Sequence, residues 1–237
     1  MSLSVLEIRR YPVKSMGGEP LQVAELDARG LVGDRRYAVV DGDGRFASGK
    51  DTRRFRRRDA VFTYAAATRP DGAVEVRREE LSWLAGDAAL AADLSARFGD
   101  PVRVLAEAGA EQAGAHFDGG AVSLVGSATL DWCARELGVD PDPRRLRANL
   151  VIATAEPFEE EAWVGRKVEV GPVDRPVRLA VVERVERCRT IDLAQDGVAT
   201  TTGWLKALGR SRELCLAVYA DVVRPGAVAV GDPVLPA

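Results

Sequence analysis

One stretch of this chain concentrates groups able to do chemistry. In "VERVERCRTIDLAQDG", residues 182–197, apolar residues alternate with charged ones and then Cys188 stands between Arg187 and Arg189. Two flanking guanidiniums favour the thiolate over the thiol, because positive charge stabilises the anion. A thiolate is a soft metal ligand. The competing reading of Cys188 is a small buried hydrophobe, the usual role of a free cysteine. Three other places carry groups suited to an anion. Lys14 and Ser15 follow a strand-like run and precede Met-Gly-Gly, Arg35 and Arg36 stand at the entrance of the next strand, and Arg147 and Asn149 precede "LVI". Lys supplies a mobile point charge and Arg a planar fork, and both match phosphate. Asn both donates and accepts, as reading the edge of a heterocycle requires. Arg147 and Asn149 are two apart, so in extended chain they project to the same side. Together these residues suit a phosphorylated heterocycle at one end and a metal at the other. Spacing leaves open whether the loops converge.

Several chemistries are excluded. His116 is the single histidine, which removes most hydrolase schemes built on a His base. "GRFASGKD", residues 44–51, has the glycines and lysine of a phosphate-binding loop. Asp51, however, replaces the hydroxyl that binds magnesium, and no strand-to-helix context surrounds it. "DGDG" at 41–44 lacks the carboxylates of a calcium loop. Cys133, Cys188 and Cys215 are far apart with no CxxC, so neither a disulfide framework nor a zinc site is indicated. The formal net charge of -3 argues against a general nucleic-acid surface, although "DTRRFRRRD" (51–59) is a local basic run, read as a solvated loop. The first fifteen residues lack an apolar signal core and no long apolar run follows. The expectation is a soluble protein of the reducing cytoplasm, with no membrane and no nucleic-acid partner.

The elements that must position these groups are mostly strands. Residues 5–13 alternate; "RYAVVDGDGRF" and "VFTYAAATRPDGAVEVRR" read as hairpins, the second turning at Pro70-Asp71-Gly72. Leu90, Leu94 and Phe98 recur at helical spacing before Gly99. A second helix runs from Ser127, read as its N-cap, through the apolar stripe Leu130, Cys133, Ala134 and Leu137 to Gly138. Cys133 on that stripe reads as core. "ANLVIA", "KVEVG", "VRLAVVERV", "LCLAVYADVV" and "VAVGDPVLP" read as further strands. Short strands, Gly and Pro turns and few helices predict a mainly β (α+β) fold with a barrel core.

Two blocks of this sequence resemble a known family. "RYPVKSMGGEPL…ARGLVGDRRYAVVDGDGRFAS" is similar to the N-terminal β-barrel domain that precedes MOSC domains. "RRLRANLVIATAEPFEEEAWVGRKVEVG" with "VVERVERCRTIDLAQDG" and "PGAVAVGDPV" resembles the MOSC domain itself, named for the C-terminal domain of molybdenum cofactor sulfurases. The architecture is similar to that of the mitochondrial amidoxime-reducing components and their bacterial counterparts. The resemblance implies an N-terminal domain over 1–106 and a MOSC domain over 107–237. It also implies a molybdenum cofactor, a molybdopterin holding the metal by a dithiolene. In that pattern Cys188 matches the protein ligand to molybdenum. Lys14, Ser15, Arg35, Arg147 and Asn149 match residues that hold the pterin and its phosphate. Tyr219 matches a nearby aromatic, and Gly126 and Ser127 mark a helix start whose free N–H groups favour an anion. Two departures stand out. "RAN" replaces the common "RPN", and "RTIDLAQDG" replaces the Thr-Thr pair that follows the cysteine in the amidoxime reducers, so their substrate does not carry over.

The implied activity is reduction of a small N-hydroxylated substrate. The sequence has no cysteine set for an iron–sulfur cluster and no dinucleotide fingerprint, so electrons are expected from a separate redox protein. Two other functions use the same residues differently: a carrier of molybdenum cofactor, or of sulfur on Cys188, for another enzyme; and a barrel that has lost its site and binds a partner protein.

Overall fold

The computed structural model describes residues 2–107 and 116–236. Among the described residues eighteen strands, many of them short, dominate. The first half carries β1 (Ser4–Arg10), β2 (Glu19–Leu21), β3 (Val23–Asp27), β4 (Gly30–Leu31), β5 (Tyr37–Asp41), β6 (Phe46–Ser48), β7 (Phe55–Arg57), β8 (Ala65–Thr68), β9 (Val74–Arg78) and β10 (Leu81–Leu84). Helix α1 (Ala88–Phe98) and β11 (Val102–Ala106) follow. The second half carries β12 (Val122–Gly126), α2 (Ser127–Leu137), β13 (Leu150–Ala153), β14 (Lys167–Val170) and β15 (Val177–Glu186). It ends with α3 (Trp204–Ser211), β16 (Cys215–Arg224), β17 (Gly226–Ala229) and β18 (Val234–Pro236). The mainly β expectation holds. Among the described residues no helix is long and apolar enough to cross a membrane.

The largest sheet has the order β18-β14-β15-β16-β12-β13-β1-β2. Its alternation buries Ile8, Leu124, Leu150, Ile152, Leu179 and Val218 in one core, each at most 1% exposed. The sheet curls toward barrel form. Val5 N–H donates to the Asp232 carbonyl at 2.9 Å and Val234 N–H to the Leu3 carbonyl at 3.0 Å, so its far edge returns to β1. A second core lies between the sheets β11-β5-β6-β7 and β10-β9-β8 and the apolar face of α1, where Leu90 and Leu94 are buried against Val39, Phe62 and Tyr64. The fourth sheet among the described residues, β17-β3-β4, brings β17 beside strands of the first half. A further cluster of Cys133, Ile191, Trp204, Leu208 and Leu216 underlies the loop that follows β15.

The expected turns form for the expected reasons. Asp71 Oδ1 accepts from Ala73 N–H at 3.0 Å, and Gly72 holds φ +85° between β8 and β9. Gly99 and Gly138 end α1 and α2 in the left-handed region. One boundary shifts: Gly126 is the N-cap of α2 and Ser127 its first helical residue. The Ser127 hydroxyl instead accepts from Thr154 N–H at 3.2 Å. Helix α3 was not expected. It is only eight residues long, and Asp192, twelve positions upstream, accepts from Trp204 N–H at 3.0 Å, a cap that local spacing does not show.

Candidate functional site

A cavity of about 520 Å³ opens where the loop after β15 meets the turns around β1, β5 and β13. Seven of the nine residues singled out in the sequence line it: Lys14, Ser15, Arg35, Arg147, Asn149, Cys188 and Tyr219. The loops therefore converge.

Cys188 directly follows β15 and its short irregular end. It is partly buried, precedes the 3-10 turn Arg189–Asp192, and its Sγ donates to Thr190 Oγ1 at 3.3 Å. The two flanking arginines part company. Arg189 turns away and binds the Gly49 carbonyl at 3.0 Å and the Asp59 carboxylate at 2.6 and 2.9 Å. Arg187 lines the cavity. Its Nε donates to the Leu216 carbonyl at 3.0 Å and its Nη1 to the Leu146 carbonyl at 2.9 Å, while its buried Nη2 has no partner. Burial lowers its pKa, against the attraction of Tyr219 and Cys188.

Arg35 and Arg147 face each other across Tyr11. Their guanidinium carbons lie 4.9 and 4.3 Å from the Tyr11 ring centre. Arg35 pairs with the fully buried Asp34 and donates to the Arg147 carbonyl at 3.1 Å. Arg147 donates to the Met16 carbonyl at 2.7 Å, and its buried Nη1 has no partner. Burial, with Arg35 nearby, lowers the Arg147 pKa even though Tyr11 opposes the shift. Lys14 is 5% exposed; its ammonium donates to the His116 carbonyl at 2.7 Å and to Asp118. Burial lowers its pKa to about 8, with Asp118 resisting the shift. Asp118 in turn is raised by burial but held well below the usual carboxylate range by Lys14 and Lys50.

Asn149 is 2% exposed and largely committed inside the protein. Its Oδ1 accepts from Ser123 N–H at 3.1 Å and Ser123 Oγ at 3.0 Å, and its Nδ2 donates to the Arg9 carbonyl at 3.2 Å. It organises the site more than it reads a ligand edge. Ser15 Oγ donates to the Ala47 carbonyl at 2.9 Å. Tyr219 packs its ring on Gly119 and Gly120, where any Cβ would collide with it. Ser15, Arg35 and Arg147 hold φ of +68°, +47° and +53°. Non-glycine residues rarely adopt that region and lose about 1 kcal/mol there, and such strain gathers at functional sites.

Gly126 and Ser127 lie outside the cavity. The N-terminus of α2 already holds an internal carboxylate. A Cβ on Gly126 would come within 2.6 Å of Glu160 Oε2, which accepts from Thr129 Oγ1 at 2.9 Å. Glu160 is fully buried, and its pKa is raised by burial despite bonds from backbone N–H groups. The field that would draw a ligand there is satisfied by the chain itself. Arg36 is half exposed and pairs with Glu107 at 3.6 Å. His116 Nδ1–H donates to the Arg35 carbonyl at 3.0 Å, and the ring packs edge-on against Phe46 and has its pKa lowered by burial. Cys133 is fully buried in the third core, as expected, and burial beside Glu160 pushes its thiol up to about 12. Among the described residues no three or more His, Cys, Asp or Glu gather to hold a metal.

Sequence reasoning missed Lys50, Asp118, Ser123 and Cys215, all on the cavity wall. Lys50 was visible only inside a failed phosphate-loop pattern, and Asp118 only as part of "FDGG". Seven cationic side chains line the cavity against three carboxylates. With three unpartnered buried guanidinium nitrogens, on Arg145, Arg147 and Arg187, and a buried ammonium, the site fits an anion.

The MOSC N-terminal beta barrel domain matches residues 2–135, and the MOSC domain matches residues 87–235. No curated protein matches the chain. Among solved structures, the YUAD protein from Bacillus subtilis aligns over 100% of this chain and 96% of its own, at TM-score 0.53 and 15% identity, a likeness of fold. YiiM from Geobacillus stearothermophilus aligns with 50% of this chain and 54% of its own at TM-score 0.36 and 14% identity, too slight a likeness to carry weight. The family match spans well over half the sequence, and this chain belongs to the MOSC domain family, whose members bind molybdenum cofactor or carry sulfur.

Proposed function

We propose that this protein binds a molybdenum cofactor in the cavity and reduces small N-hydroxylated compounds, as the amidoxime-reducing components it resembles do. One observation carries the reading. Cys188 shares a single cavity with Lys14, Ser15, Arg35 and Arg147, and three guanidinium nitrogens of its lining, on Arg145, Arg147 and Arg187, have no protein partner. A phosphate satisfies such groups, and a thiolate suits molybdenum.

In this reading Cys188 is the protein ligand to the metal. Lys14, Arg35 and Arg147 hold the phosphate, with Lys14 charged at pH 7 because its pKa of about 8 lies above that pH. Asn149 and Asp34 hold Arg35 in place, and Tyr219 flanks the bound group. When bound, the molybdenum cofactor would supply two-electron chemistry, with Cys188, Lys14, Arg35 and Arg147 holding it. The overall change is R–NHOH plus two electrons and two protons to R–NH2 and water. The electrons come from a separate redox protein in a reducing cytoplasm.

The test is molybdenum and released pterin in protein from a cofactor-competent host, beside Cys188→Ala. About one molybdenum per chain, lost or inactive in the variant, followed by reduction of an N-hydroxylated compound, supports the reading. Native protein without metal and pterin sinks it. A sulfur-carrier role is the second reading. It is favoured by Cys215, a second free thiol on the same cavity wall. A persulfide mass on Cys188 without turnover would select it.

A further inference from the structure

We infer that Lys50 selects the substrate, and that the substrate bound beside Cys188 carries a carboxylate. This rests on the reductase reading above. Lys50 lies in the "GRFASGKD" stretch that fails as a phosphate loop, yet the fold places it at the site. The Gly49 carbonyl accepts from Arg189, the residue after Cys188, at 3.0 Å. A Cβ on Gly49 would come within 2.5 Å of Thr190 Oγ1, the atom to which Cys188 Sγ donates at 3.3 Å. Only glycine lets the Lys50 backbone approach the cysteine loop this closely. The Lys50 side chain lines the same cavity as Cys188.

The lysine is weakly engaged. Its ammonium is 3.4 Å from Asp118 and 4.6 Å from the Phe55 ring centre, and its side chain is 31% exposed. Asp118 makes its closer contact with Lys14, so it does not neutralise Lys50 as well. The residues assigned to the phosphate leave Lys50 unused. Of the two cavity cations most open to solvent, Arg184 is held by Glu213 at 2.9 Å while Lys50 lies 3.4 Å from Asp118, and an acidic group on a substrate completes the pairing of Lys50. A bidentate fork is not needed; a mobile point charge tolerates acids of different reach.

The experiment compares 4-carboxybenzamidoxime with its neutral methyl ester, using cofactor-loaded protein, Lys50→Ala and Lys50→Arg. Native protein should prefer the acid, by kcat/KM and by calorimetric Kd. That preference should fall about tenfold in Lys50→Ala, mainly through KM, and return in Lys50→Arg. Equal handling of acid and ester by the native protein, or an equal preference in native protein and Lys50→Ala, overturns the inference. If neither compound turns over, the reductase reading fails separately. The calorimetric comparison then still decides the role of Lys50: equal Kd for the acid in native protein and Lys50→Ala refutes it.

Discussion

The buried ammonium of Lys14 makes anion binding pH-dependent in a way that can be calculated. Its pKa lies near 8 in the folded protein, lowered from 10.5 because burial removes hydration that Asp118 only partly replaces. Sulfate is a suitable probe because its own charge is constant between pH 7 and 9. At pH 7 about nine-tenths of Lys14 is charged, and at pH 9 about one-tenth. A sulfate that requires the ammonium should therefore bind about tenfold more weakly at pH 9, read by calorimetry on protein purified without molybdate. Lys14→Met should bind weakly and without this step. A flat native profile, or a step that survives in Lys14→Met, refutes the assignment. The same shift acts on stability with a definite sign. Between about pH 8 and 10.5 the unfolded chain keeps a proton that the folded chain has released, so stability rises with pH across that window. For this 5% exposed residue the gain is of order 3 kcal/mol, and it should be missing in Lys14→Met.

Other outcomes follow from the geometry. Arg147→Ala should weaken sulfate binding about tenfold or more, whereas Ser127→Ala should change it less than about twofold, since Glu160 already fills the α2 N-terminus; sulfate calorimetry at pH 7 reads both. Gly18→Ala should destabilise the fold by roughly 2 kcal/mol or more in denaturant titration, because its Cβ would collide with the Arg10 carbonyl and the Tyr11 ring. Iodoacetamide at pH 8 should modify Cys188 and Cys215 in folded protein purified without molybdate but leave Cys133 untouched until denaturant is added, by peptide mass analysis.

Much of this site was legible because charged residues stood at the ends of well-patterned strands. Lys14 after β1, Arg35 before β5 and Arg147 before β13 are all turn positions, and the strands that follow have only one register that buries their apolar side. What the pattern could not show was tertiary. Glu160 sits in "EEEAW", where three glutamates look alike; only the fold shows that Glu160 alone is fully buried against α2. Asn149 looked like a ligand reader, yet Ser123, twenty-six positions away, takes most of its hydrogen bonding. Lys50 was discarded with its motif, because a local pattern says nothing about Thr190 lying against Gly49. Arg187 and Arg189 are two apart and would share a side in extended chain; the 3-10 turn that begins at Arg189 separates them, which alternation does not show.

The pairing of the chain's two ends also sets the order in which this protein can be made. β1 pairs with β13, and β3 with β17, so these earlier strands wait for partners synthesised much later. Contacts this far apart in sequence are slow to form, since each closes a long loop before any burial offsets its entropy. Lys14, Arg35, Arg147 and Cys188 consequently meet only after Cys188 has been made. The nascent chain carries Lys14 and Arg35 without a finished cavity, and so any ligand held there enters only after the cavity's later walls have been synthesised.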